Sequence, residues 1–98
     1  MSVIEYNGRR YRVRELTFGE VVEYIESSMD NVATTSGDVK KVVNVAKANK
    51  TLLTLCVEVE DGGQMRRLTQ EEVSKLPGRL GLKLVSECMR INDFLLQA

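Results

Sequence analysis

Histidine and tryptophan are absent from this 98-residue sequence, and proline occurs once. Histidine is the most frequent general base and metal ligand in proteins, so its absence removes the commonest basis for catalysis. The sequence also lacks a glycine-rich phosphate loop, a GxGxxG turn and a GxSxG nucleophile motif. We therefore expect a protein that is not an enzyme, with no catalytic residues, no metal ligands and no cofactor-binding residues.

An excess of either charge is also missing, because 14 basic residues balance 14 acidic ones. A chain without net charge has no long-range field to attract nucleic acid or an anionic membrane. No apolar run approaches the roughly 18 residues that span a membrane, and the first residues lack the features of a signal peptide. We expect a cytoplasmic protein without a membrane partner, and the charge balance argues against nucleic acid.

Cysteine is scarce: Cys56 and Cys88 stand in no CxxC or other ligand spacing, and we expect both to be buried reduced thiols. Hydrophobic residues make up 43% and charged residues 29%, as in an ordinary globular domain. At this length we expect residues 1–98 to form a single domain. The patterns indicate the α+β class, mainly helical, with an N-terminal β-hairpin followed by about four helices and a second hairpin at 57–68.

Residues 1–16 are predicted to form the first hairpin, because Asn7-Gly8 is a dipeptide that readily adopts a type I′ turn. A two-residue loop would place Ile4 opposite Tyr11. The core face of the hairpin would carry Ile4, Tyr6, Tyr11 and Val13. An isolated hairpin is marginal in water, so we expect it to join another strand or to pack on a helix.

Residues 17–30 predict a helix that begins with a capping box, in which the side chains of Thr17 and Glu20 bind free backbone amides. The apolar stripe of this helix, expected to face the core, comprises Phe18, Val21, Val22, Ile25 and Met29. The opposite acidic stripe comprises Glu20, Glu23, Glu26 and Asp30. A solvated face is one interpretation of the acidic stripe, and a surface that steers a basic partner is the other.

Residues 31–37, which read NVATTSG, predict a flexible connection because they are small and polar. Residues 38–57 are predicted to form the central helix, since their apolar side chains recur on one broad side at helical spacing. That side carries Val39, Val42, Val43, Val45, Ala46, Leu52, Leu53, Cys56 and Val57. The alternating stretch VEVE and the turn signal DGG then predict the second hairpin at 57–68.

A second capping box, from Thr69 to Glu72, predicts a short helix over 69–76, and Pro77 separates it from a terminal helix over 78–97. Apolar residues cover about 200° of the terminal helix, which is wide for a helix exposed to solvent. We expect part of this surface to contact a partner. The candidate contact residues are Leu82, Met89, Phe94 and Leu96, with Glu20, Glu23 and Glu26 as a steering face.

Two other functions fit parts of the pattern. Residues 68–90 could begin the helix-turn-helix of a small DNA-binding regulator, aided by a basic strip of Arg9, Arg10, Arg12 and Arg14. Against this, the second helix opens with Leu80, Gly81 and Leu82, where a reading helix needs exposed hydrogen-bond donors. The other alternative is a self-associating α+β structural protein whose apolar stripes meet each other or a second copy.

The chain from Ile4 to Glu26 reads IEYNGRRYRVRELTFGEVVEYIE, and from Thr51 to Asn92 it reads TLLTLCVEVEDGGQMRRLTQEEVSKLPGRLGLKLVSECMRIN. Both stretches resemble small phage and prophage tail assembly chaperones, which share a strand pair on an NG turn, an REL-T-GE segment, a CV strand, an LT-EE helix start and an LP break. The resemblance implies a non-enzymatic assembly factor in the bacterial host cytoplasm. Its implied partner is the tape measure protein, or another phage tail protein, kept soluble while tube subunits polymerise around it. A homo-oligomer would also be compatible with this role.

Overall fold

The structure is a computed structural model that describes residues 2–93. Its elements, in chain order, are β1 Ser2–Tyr6, β2 Arg9–Val13, α1 Phe18–Ser27, β3 Met29–Ala33, β4 Val39–Val43, α2 Val45–Cys56, β5 Val57–Asp61, β6 Gln64–Arg67, α3 Gln70–Lys75 and α4 Gly78–Ile91. Of the described residues, 47% are helical and 32% lie in strands. The α+β class is therefore confirmed, although helices outweigh strands by less than the sequence suggests.

The first and last hairpins combine into one antiparallel sheet with the strand order β1-β2-β5-β6. Ile4 lies opposite Tyr11, which confirms the predicted register of the first hairpin. Its turn has positive φ angles at Asn7 (51°) and Gly8 (77°), as a type I′ turn requires. The second hairpin is also confirmed, and β2 joins the two by pairing Val13 with Val57.

The core lies on one face of this sheet, where helices α2 and α4 cover it. The residues whose side chains are almost wholly enclosed include Val13, Leu52, Cys56, Val57, Val59, Leu80, Leu84 and Cys88. Burying each aliphatic side chain of this kind contributes roughly 1.5 to 3 kcal/mol. Helix α4 takes part through residues spaced four apart, so one of its sides is committed to the core.

The predicted central helix over 38–57 is wrong in its first third. Residues 39–43 form strand β4, and helix α2 begins only after Asn44, whose side-chain oxygen accepts a hydrogen bond from the Lys47 amide at 3.1 Å. The valines of this stretch fit a helical stripe as well as a strand, but β-branched side chains favour the strand. The predicted flexible connection over 31–37 is likewise partly strand, because β3 extends to Ala33.

Strands β3 and β4 form a separate two-stranded hairpin, which we call the arm. Its turn is closed by hydrogen bonds from the Thr34 amide to the Asp38 carbonyl (2.7 Å) and from the Gly37 amide to the Thr34 carbonyl (3.0 Å). Within residues 2–93 the arm pairs with no strand of the main sheet. Both of its edges are therefore open.

Helix α1 differs from its prediction in length and in orientation. It ends at Ser27 instead of continuing to residue 30, because Met29 begins β3. Of the predicted inward stripe, Val21 packs against the core, whereas Phe18, Val22 and Ile25 are exposed. The expected burial of those three side chains is therefore wrong. The side that carries Glu20, Val21 and Tyr24 turns inward instead, because Glu20 is held in a buried ion pair.

The C-terminal elements begin where the sequence predicts. Thr69 and Glu72 form the expected capping box of α3, and α4 starts at Gly78, directly after Pro77. Helix α4 ends at Ile91, so the prediction of a helix up to residue 97 is wrong at Asn92 and Asp93, because Asn92 leaves helical geometry to bind the core. The predicted terminal helix extends to residue 97, and its last four residues lie outside the described part of the chain.

Candidate interaction surfaces

The Glu20 carboxylate lies in a polar cluster between the sheet and helix α1. Arg14 Nη1 donates to Glu20 Oε1 at 2.9 Å, Arg67 contacts the other carboxylate oxygen, and the Thr17 amide donates to Oε1 at 2.9 Å. The hydrogen bond from Arg14 is the main reason why the pKa of Glu20 is lowered from 4.5 to about 2. Arg14 also donates to the Leu55 carbonyl at 2.8 Å. The polar groups of this cluster bind one another and hold helix α1 against the sheet.

Glu20 therefore does not belong to an exposed steering face, since only 8% of its surface is accessible. Glu23 and Glu26 remain exposed on α1. The acidic stripe predicted from the sequence is thus divided by the fold. One carboxylate holds the helix on the sheet, and two face solvent.

A second polar cluster lies in the core around Asn92, which follows helix α4 and is fully buried. Its Oδ1 accepts from the Leu16 amide at 2.8 Å, and its Nδ2 donates to the Cys88 carbonyl at 3.0 Å. Cys56 and Cys88 are free buried thiols, as predicted, and Cys56 Sγ donates to the Arg14 carbonyl at 2.9 Å. The hydrogen bond with Cys56, together with burial, raises the pKa of the Cys88 thiol. Cys88 therefore stays protonated at neutral pH and is a poor nucleophile.

Three of the four arginines in the predicted basic strip are paired with carboxylates, and Arg9 is exposed. Arg12 donates to the Glu58 carboxylate at 2.6 and 2.8 Å, and Arg10 lies 3.6 Å from the Glu60 carboxylate. Arg14 is bound to Glu20, as described above. Positive charge that is already paired gains less from a phosphate backbone than free charge does. The geometry thus weakens one of the two sequence arguments for a DNA-binding regulator.

An apolar groove of about 300 Å³ opens between helices α2, α3 and α4. Its apolar lining consists of Leu53, Val73, Leu76, Leu82 and Val85. Leu82 stands at the edge with 73% of its surface exposed. Because residues three or four apart share one side of a helix, Leu82, Val85 and Met89 form a continuous stripe along α4.

The predicted contact residues are therefore only partly brought together. Leu82 lines the apolar groove, and Met89 lies on the same stripe of α4 but is half-buried and packs against the core. Phe94 and Leu96 lie outside the described residues. Glu23 and Glu26 belong to α1, which does not line the groove. The charged residue that does line it is Lys50.

A larger, polar cleft of about 490 Å³ lies between helices α1, α2 and α3. It is lined by Glu23, Ser27, Lys47, Lys50, Thr51, Thr54, Gln70 and Ser74. Hydroxyl groups and lysines dominate, and Glu23 is the single carboxylate of this set. Among residues 2–93 no cluster of three side chains suited to holding a metal ion is found.

A further exposed apolar surface was not anticipated from the sequence. It consists of two parts: the outer stripe of α1 (Phe18, Val22 and Ile25) and one face of the arm, where Ala33, Val39 and Val43 are exposed and Met29 is half-buried. Phe18 is 83% exposed and Val39 is 70% exposed. The valine-rich segment 39–43 indicates such a surface only when it is a strand, and the sequence pattern predicts a helix there.

In the part of the chain that the structure describes, no helix is long and apolar enough to cross a membrane. No protein-family model, curated protein or solved structure matches this chain.

Proposed function

We propose that this protein is a non-enzymatic tail assembly chaperone of a phage or prophage, which binds a helical segment of the tape measure protein. The observation that carries the proposal is the apolar groove between α2, α3 and α4, with Leu82 exposed at its edge. The resemblance of residues 4–26 and 51–92 to such chaperones supplies the identity of the partner. The host cytoplasm is the proposed location.

The groove suits an amphipathic helix, which binds by placing apolar side chains at positions i, i+3 or i+4, and i+7 into an apolar channel. The stripe from Leu82 to Met89 follows the same spacing and extends over about 10 Å of α4. A partner helix could therefore align with α4 and place two or three side chains between α4 and α2. Such a contact does not require the protein to change its fold.

The shallow groove favours reversible binding, which a chaperone needs because tube subunits must replace it. Each leucine that becomes buried contributes roughly 1.5 to 3 kcal/mol, so a few side chains give only a moderate affinity. Lys50 lies at the groove and would favour a partner helix with an acidic flank. In this proposal Glu23 and Glu26 play no part at the groove itself.

The test compares Leu82→Lys with Val3→Lys during co-production with a phage tape measure protein from the same genome. Both positions are exposed, so both variants should fold, but Val3 lies on β1 and away from the groove. We expect the wild type and Val3→Lys to keep the tape measure protein soluble and to co-purify with it. Leu82→Lys should weaken the affinity by roughly tenfold or more. If the tape measure protein neither co-purifies nor gains solubility with the wild type, the proposal is wrong.

A further inference from the structure

We infer that two copies of this chain form a dimer in which the arm of each copy packs on the outer stripe of helix α1 of the other. The inference is independent of the proposed function, because neither surface lines the groove. It rests on two exposed apolar surfaces that are similar in length and carry opposite charges. These two surfaces cannot meet within one copy.

The arm presents one predominantly apolar face. Residues that alternate along a strand share a face, so Val39 and Val43 of β4 lie on the same side. Their partners across the hairpin are Ala33 and Met29, which are also apolar. Val39 is 70% exposed and Val43 is 59% exposed. A two-stranded hairpin is marginal in water by itself, so this face gains stability if another surface covers it.

Helix α1 presents the complementary surface. Phe18, Val22 and Ile25 are spaced four and three apart, so they form one outward stripe. The helix has ten residues and is about 15 Å long. The five-residue strand β4 is about 17 Å long. The two apolar surfaces therefore match in length.

The charges on the two surfaces are of opposite sign. Lys41 lies on the arm face between Val39 and Val43, because it shares their alternation, and it is exposed. Glu26 is exposed and follows Val22 by four residues, so it borders the apolar stripe of α1. When the arm covers this stripe, an ammonium group meets a carboxylate. Together with the match in length, this complementarity supports a second copy as the partner.

One copy cannot bring its own arm onto its own α1 stripe. Ser28 alone separates α1 from β3, and it is buried. Its carbonyl accepts from the Asn44 amide at 2.8 Å, while Asn44 Nδ2 and Lys47 Nζ donate to the Asp30 carboxylate at 2.7 and 3.2 Å. These bonds fix the base of the arm to the start of α2. Folding the arm back along α1 would break them.

A reciprocal exchange of arms covers all four surfaces in one closed dimer. In a two-fold arrangement each copy gives an arm and receives one, so neither of these two surfaces is left to recruit a third copy. A stable dimer of this kind buries roughly 800 Å² on each copy.

The test is sedimentation equilibrium of the full chain over a hundredfold range of concentration. We expect a reversible dimer for the wild type. The variant Val39→Lys/Val43→Lys should raise the dimer dissociation constant at least about tenfold, since it places charge on the buried arm face. Both positions are exposed in one copy, so circular dichroism should show unchanged secondary structure. Leu82→Lys is the matched control and should leave the dimer intact.

A charge exchange then tests the pairing of surfaces. Lys41→Glu and Glu26→Lys should each weaken the dimer, and an equimolar mixture of the two variants should restore it, because both interfaces of the mixed dimer pair opposite charges. A wild type that stays monomeric up to about 0.2 mM, where an interface of standard size would be populated, overturns the inference. So does a dimer that the arm variant leaves intact.

Discussion

The buried Glu20 carboxylate connects helix α1 to the main sheet. It accepts hydrogen bonds from Arg14 after β2, contacts Arg67 at the end of β6 and caps the start of its own helix at Thr17. Arg14 also donates a hydrogen bond to the Leu55 carbonyl, so the same cluster connects α1 to α2. Arranging two guanidinium groups around one carboxylate fixes which side of α1 faces the sheet. This explains why the apolar stripe of α1 points outward.

The pH dependence of stability tests this role. The pKa of Glu20 is lowered to about 2 from its usual 4.5. A lowered pKa gives stability that is present above pH 4.5 and is lost as the pH falls towards 2. We expect Glu20→Gln to lower the free energy of unfolding by about 2 to 3 kcal/mol at pH 7. Urea denaturation should show that this difference shrinks between pH 4.5 and pH 3.

The control is Glu23→Gln, at an exposed position of the same helix, which should stay within about 0.5 kcal/mol of the wild type at both pH values. A Glu20→Gln difference that does not change with pH would mean that folding does not lower the pKa of Glu20, which would contradict the proposed ion pairing.

Asn92 provides a second test at the residue scale. Its amide group satisfies the Leu16 amide and the Cys88 carbonyl inside the core. Asn92→Leu would leave the buried Leu16 amide without this acceptor, which costs roughly 1 to 3 kcal/mol beyond any change in packing. Asp93→Ala, at the exposed neighbouring position, should cost much less. Equal losses of stability in thermal denaturation would contradict the assigned role of Asn92.

The elements that could be predicted from the sequence are those with short-range signals. Asn7-Gly8 specified the first turn, the VEVE alternation and its DGG turn specified the second hairpin, and both capping boxes set helix starts. The first third of the predicted central helix failed because valines at 39, 42 and 43 satisfy two periodicities at once. Which one prevails depends on pairing with the neighbouring strand β3, whose residues 29–33 the sequence pattern assigns to a helix end and a flexible connection.

The candidate site was predictable to a similar extent. The stripe of α4 that contains Leu82 follows from helical spacing alone. The groove also needs Leu53 and Leu76 from two other helices, and only the fold brings these together. The exposed stripe of α1 could not be predicted, because its orientation depends on the distant partner Arg67 of Glu20.

At the scale of an element, Asn44 is expected to hold both helix α2 and the arm. Its Oδ1 caps α2 at Lys47, and its Nδ2 donates to Asp30 of β3. Losing an N-cap side chain costs about 1 kcal/mol. For Asn44→Ala we therefore expect this loss together with faster hydrogen exchange of the amides of β3 and β4. Asn49→Ala, within the same helix, should leave exchange in the arm unchanged. Uniform exchange rates in both variants would show that Asn44 does not anchor the arm.

At the scale of the whole molecule, the described residues of a chain without net charge carry two separate apolar regions. One is the groove between α2, α3 and α4, and the other is the pair formed by the arm and the outer stripe of α1. We assign the first to a helical partner and the second to a second copy. The separation has a practical consequence: a variant at Leu82 should lose the partner and keep the dimer, and a variant at Val39 and Val43 should do the reverse.

The most direct measurement is an amide chemical-shift titration of the isotope-labelled protein with a soluble helical segment of the tape measure protein. We predict saturable chemical-shift changes for the backbone amides of residues that line the groove, including Leu53, Leu76 and Leu82. The changes should be much smaller for Arg12 and Glu58 on the outer face of the sheet. Shifts confined to α1 and the arm, or no shifts at saturating peptide, would contradict the assignment of the groove as the partner site.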